Sequence, residues 1–106
     1  MFEQILEALR DTDMPVFDTG VISPPGEDYI VLAMSGQGGA LWADGHCAHQ
    51  SMEATADLWT HSGGRRQMQK VQAILNEMQL SWTLNNVFFE PDSRLTHWEW
   101  VIQWEE

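Results

Sequence analysis

Two groups of side chains are of types that could do chemistry. The first is the run His46-Cys47-Ala48-His49, to which His61 could add a fourth donor, and imidazole with thiolate is a zinc donor set. Structural zinc needs its donors to converge tetrahedrally, whereas consecutive residues of an extended chain point to opposite faces. The run therefore reads as a polar strand start or loop with a part-buried cysteine, and no metal or other cofactor is expected. The second group is Glu53 and Asp57, with His49 in line, as an acid–base set. Residues four apart on a strand lie about 13 Å apart at roughly 3.3 Å per residue, too far for two carboxylates to share a substrate atom. They read as surface charge. Gly-x-Ser-x-Gly, Cys-x-x-Cys, His-Glu-x-x-His and phosphate-loop patterns do not occur, so the chain is expected not to be an enzyme.

The spacing of apolar residues predicts the elements that carry these groups. Phe2, Ile5, Leu6 and Leu9 give a helix whose other side holds Glu3, Glu7 and Arg10, with Pro15 beyond its end. An extended piece, Val16 to Val21, leads into the turn Ser23-Pro24-Pro25-Gly26. Tyr29 to Met34 is apolar on both sides, as a central strand is. Gly36, Gly38 and Gly39 then break the pattern before Ala40-Leu41-Trp42 and predict a flexible hairpin loop; no Lys-Ser/Thr pair and no helix follows, which argues against a phosphate loop.

From His49 the chain alternates, with Met52, Ala54, Ala56 and Leu58 on one side and Ser51, Glu53, Thr55, Asp57 and Trp59 on the other. That is a strand with one buried face and one wet, acidic face. Met68, Val71, Ile74, Leu75 and Met78 predict a second helix, and Arg65, Arg66 and Lys70 crowd its first turns although the helix dipole disfavours cations there. A closing hairpin joins Trp82–Phe89 to Thr96–Trp104 through Glu90-Pro91-Asp92-Ser93. Trp98, Trp100, Ile102 and Trp104 share one face of its last strand, more aromatic surface than two short helices easily cover, so part of it is expected at a subunit contact. The predicted fold is a single α+β domain over residues 1–106. It has a mainly antiparallel sheet of about four to five strands, two helices on one face, and the order α-β-β-β-α-β-β.

Sixteen Asp and Glu stand against five Lys and Arg in 106 residues, a formal charge of -11. Binding nucleic acid by neutralising phosphates needs a basic surface, so sequence-specific nucleic-acid binding is not expected. Residues 1–62 hold ten acids and only Arg10, while residues 63–106 hold six acids and four bases. Cys47 is the single cysteine, so no intramolecular disulfide can form and a reducing, cytoplasmic site of synthesis is expected. No run approaches the roughly 18 apolar residues of a membrane span, and MFEQILEALRD lacks the basic start of a signal peptide.

In its element order the chain resembles the small tail-completion, or tail-terminator, proteins of long-tailed bacteriophages. The likeness covers most of the chain: the first helix, the Pro-Val extended piece, the Pro/Gly loop, the strand Tyr29 to Met34, the wet strand ending near Leu58-Trp59-Thr60, the helix Arg65 to Met78, and the aromatic, acidic strand Trp98 to Glu105. The resemblance implies a structural virion protein without catalytic activity, assembled as a ring, commonly a hexamer. Such a ring caps the head-proximal end of the tail tube, halts its polymerisation and meets the head connector. DNA passing through it would be repelled by an acidic lumen. In a head-to-tail ring the bases Arg65, Arg66 and Lys70 of one subunit would meet Glu53 and Asp57 of the next, with Trp59 as apolar anchor. The alternative is an acidic DNA mimic or inhibitor that occupies the basic cleft of a nucleic-acid enzyme.

Overall fold

The computed structural model describes residues 1–18, 25–43 and 46–105, with the backbone alone described at 37–43 and 46–50. Helix α1 (Phe2–Leu9) runs into a single 3-10 turn (Arg10–Thr12), followed by β1 (Val16–Asp18), β2 (Tyr29–Ala43), β3 (His46–Thr60), α2 (Arg65–Glu77), β4 (Ser81–Glu90) and β5 (Leu95–Glu105). The class is α+β, with one five-stranded sheet in the order β1-β2-β3-β5-β4.

The sheet is mixed, which corrects the expectation of a mainly antiparallel one at its β1 edge. β1 lies parallel to β2, with Val16, Phe17 and Asp18 opposite Ile30, Val31 and Leu32. Parallel neighbours need a connection that carries the chain back to the same end. The other three pairings are antiparallel. The 3-10 turn after α1 also falls outside the predicted order.

A second correction concerns Gly36 to Gly39. The chain does not turn there: β2 continues to Ala43 and pairs with β3 back to His46. Register shifts at Met34/Gly36, Gln37/Gly39 and Leu41/Trp42 absorb the irregularity, and Gly36 takes φ +113, open to glycine but strained for other residues. The glycines mark bulges, which disturb the alternation without ending the strand. Because β3 reaches β5 only over Ser51–Thr60, residues 40–43 and 46–50 pair with each other alone. This two-stranded arm lengthens the molecule, whose extents are 51 × 27 × 21 Å.

Both helices cover the same face. Ile5, Leu6 and Leu9 of α1 and Val71 and Leu75 of α2 join Ile30, Leu32, Ala54, Ala56, Leu58, Trp100 and Ile102 in one core. Burying an aliphatic or aromatic side chain of this kind contributes roughly 1.5–3 kcal/mol. The alternation predicted for β3 holds, with Ala54, Ala56 and Leu58 fully buried on its helix side. Trp100 is fully buried and Trp104 nearly so, with Trp98 packed at the margin. The chain's own helices therefore cover much of the aromatic surface, part of which is expected from the sequence at a subunit contact.

Local chemistry fixes the helix ends. Thr12 Oγ1 donates to the Leu9 carbonyl at 2.7 Å, and Asp13 turns the chain out with φ 66. Gly63 and Gly64 precede α2 with φ 80 and 83, and a Cβ at Gly64 would collide with the Thr60 side chain. At the other end Gln79 N–H donates to the Asn76 carbonyl at 3.0 Å and Leu80 N–H to Leu75 at 3.2 Å, a Schellman close made with a left-handed Gln79 rather than glycine.

Candidate interaction surface

The face of the sheet opposite the helices carries the odd-numbered residues of β3 and β5, set there by the pleat. Among the described residues no helix packs on it. Its side chains cover one another. Phe17 meets the edge of Tyr29 at 6.2 Å, Tyr29 stacks beside Trp59 at 6.3 Å, and Trp59 lies flat on His97 with ring centroids 3.9 Å apart. Phe88 then approaches His97 edge-on at 5.0 Å. One aromatic row thus crosses all five strands in their order β1-β2-β3-β5-β4.

Asp57 sits beside this row and binds His97 across β3 and β5, with Nε2 and Oδ1 2.6 Å apart. Nε2 donates to the carboxylate, which leaves Nδ1 as the other ring nitrogen, and it is buried without a partner. As packed, the pair offers no ring nitrogen to a substrate. It ties two strands together and holds the imidazole flat against Trp59. The alternation along β3 predicts Asp57 as surface charge and carries no signal for His97. The two residues are 40 apart, and only the β3–β5 register brings them together.

Charge is divided between the two sides. Glu53, Asp57, Glu90, Glu99 and Glu105 belong to the open face by register, and no Lys or Arg does. Asn85, carried at the bulge between Leu84 and Asn86, donates to Glu99 at 2.8 Å. Arg65, Arg66 and Lys70 are exposed on α2, on the opposite side of the sheet. The α2 N-terminus has no side-chain cap and no acid in its first turn, and its two arginines are exposed. Arg65 also lines an open hollow of about 510 Å³ with Gly63, Gly64, Met68, Thr96 and Trp98.

The predicted contact residues fall accordingly. Glu53, Asp57 and Trp59 share the open face, as the alternation required, and Arg65, Arg66 and Lys70 share one helix end away from it. Trp59 is half-buried in the aromatic row rather than standing free. The side chains of His46, Cys47 and His49 lie outside the described residues. His61 holds Asp28, with its Nδ1 2.9 Å from Oδ1, and its backbone N–H donates to the same oxygen at 2.9 Å, while Gln67 donates to Oδ2 at 3.0 Å. Among the described residues no three His, Cys, Asp or Glu side chains converge as metal ligands, and no helix is long and apolar enough to cross a membrane.

No family model matches this chain, and no curated protein matches it either.

Proposed function

We propose that the protein is a structural subunit of a phage tail, without catalytic activity, which assembles head to tail into a ring, hexameric in keeping with the family it resembles. The ring caps the tail tube and presents the surface that meets the head connector. The observation that carries this reading is the division of charge. An uncapped helix N-terminus bearing Arg65 and Arg66 lies on one side of the sheet, and a face rich in carboxylates without a single cation lies on the other. The two sides are complementary between copies. When copies are related by rotation, the helix end of each meets the acidic face of the next, and the contact repeats until it closes. Carboxylates such as Glu53 would then supply the anion that the α2 N-terminus lacks, which explains why cations gather where the dipole opposes them. Such pairs set register more than affinity.

The acidic face also favours a second reading, in which a monomer mimics nucleic acid inside the basic cleft of an enzyme. Oligomeric state separates the two. Arg65→Glu combined with Arg66→Glu is expected to keep the wild-type circular dichroism spectrum, since both side chains are exposed, and to reduce ring formation in sedimentation or tail completion in assembly assays. Wild-type rings and wild-type termination by the charge-reversed protein would overturn the ring reading. A wild-type protein that stays monomeric beside tail tubes and inhibits a nucleic-acid enzyme would establish the mimic.

A further inference from the structure

We propose that β4 takes up a cationic extended segment of another protein as a sixth strand of the sheet. This rests on the fold alone and holds whether or not the chain forms a ring. The sheet has two edges of very different character. β1 is three residues long, whereas β4 runs for ten residues and, among the described residues, pairs only with β5, which leaves a row of backbone donors and acceptors along its outer side. Exposed strands are ordinarily blunted by Lys, Pro, shortness or a bulge. β4 contains no Lys, Arg or Pro, and its one irregularity is the bulge at Leu84/Asn86. Beyond that bulge Val87, Phe88 and Phe89 are 45%, 40% and 58% exposed. Three consecutive large apolar residues on a free edge form a template for pairing.

The charge around this edge selects the occupant. By register, Ser81, Thr83, Asn86, Phe88 and Glu90 belong to the acidic face, and Trp82, Leu84, Val87 and Phe89 to the helix side. A second copy pairing antiparallel through its own Val87–Phe89 would set Glu90 of each copy opposite Asn86 of the other, one strand away from that copy's Glu99, with each chain carrying -11. Like charges brought this near across a strand pair disfavour it. A strand with Lys or Arg at alternate positions fits instead. Its cations meet Glu90 and Glu99 and pass over the Phe88 ring, and its intervening apolar residues meet Val87 and Phe89. A hollow of about 150 Å³ beside Ser81, Thr83, Val101 and Gln103 can take one side chain of the arriving segment at the start of β4.

The test uses a labelled peptide of about eight residues alternating Lys and Val, long enough for a typical strand, and a control alternating Glu and Val. The Lys-Val peptide is expected to bind the intact chain and slow amide exchange along Ser81–Glu90, and the Glu-Val peptide to do neither. Phe89→Lys, a change at the most exposed position, should weaken binding about tenfold or more at unchanged circular dichroism, and Glu90→Gln should weaken it less. Because Glu90→Gln removes charge with almost no change in shape, it keeps the proposal falsifiable should Phe89→Lys disturb folding. Equal binding of the two peptides, protection spread over the acidic face rather than along β4, or undiminished binding by both variants would overturn the proposal. So would protection of the same amides in a concentration-dependent dimer without peptide, which would make the occupant a second copy.

Discussion

On the helix side of the sheet Ile30, Leu32, Ala54, Ala56, Leu58, Trp100 and Ile102 lose all contact with water beneath α1 and α2. On the other side Phe17, Tyr29, Trp59 and His97 cover one another, and no helix among the described residues is laid over them. The same strands supply both faces by alternation. One face is therefore dry because a second layer excludes water. The other is partly dry because large flat rings overlap along the row and Asp57 satisfies a ring nitrogen within it. A layer of rings can be both core and contact surface, whereas a face under helices is committed to the fold.

That contrast is open to being broken, first on the helix side. Trp100 is fully buried and donates through Nε1 to Gln72 at 3.2 Å, so Trp100→Ala removes a large core volume and one hydrogen bond. The expected loss is about 3–5 kcal/mol, read as a fall in the midpoint of a denaturant melt. A loss under about 1 kcal/mol would mean that the helix layer collapses onto the gap and that this face is not closely packed.

On the open side the expected effect is smaller. Asp57→Ala leaves His97 with two unpartnered ring nitrogens beside Trp59, which should cost about 1–3 kcal/mol in the same measurement. The side chains of both residues keep some contact with water, 11% for His97 and 20% for Asp57, so the lower part of that range is expected. A loss as large as that of Trp100→Ala would show that the aromatic row is a second core rather than a surface.

How much of this was legible in the sequence follows from which interactions are local. The helical stripes Ile5, Leu6 and Leu9, and Val71 and Leu75, appear as periodicity within one segment, and so does the alternation along β3. The mixed sheet was not readable, because nothing in Val16-Phe17-Asp18 distinguishes a parallel partner from an antiparallel one. Gly36 to Gly39 misled for a specific reason: glycine marks both turns and bulges, and only the pairing of β2 with β3 decides between them. The Asp57–His97 pair depends on strand order, β3 beside β5 rather than β4 beside β3, which local pattern does not encode. Charge placement was legible because it needs only the face of each element. The aromatic row was not, because it is assembled from single residues on five strands.

The smallest effect concerns Tyr29, an inner member of the row, which is only 5% exposed on a face that no helix among the described residues covers. Its phenol is pushed above the usual tyrosine value, chiefly by burial and further by the carboxylate of Glu90. The neutral phenol is therefore favoured in the folded chain. Its contribution to stability is fully present below the ordinary tyrosine pKa of about 10 and is lost as the pH rises through the higher folded value. Tyr29 is the single tyrosine, so the absorbance of the phenolate reports this site alone. The native protein should titrate at higher pH than the denatured chain, and Glu90→Gln should bring the native midpoint part of the way back. In melts, wild type should lose stability relative to Tyr29→Phe only as the pH rises from about 10 through that window. Coincident native and denatured titrations would mean that water reaches the phenol freely, that the overlapping rings do not keep this face dry, and that the difference between the two faces is one of helix cover alone.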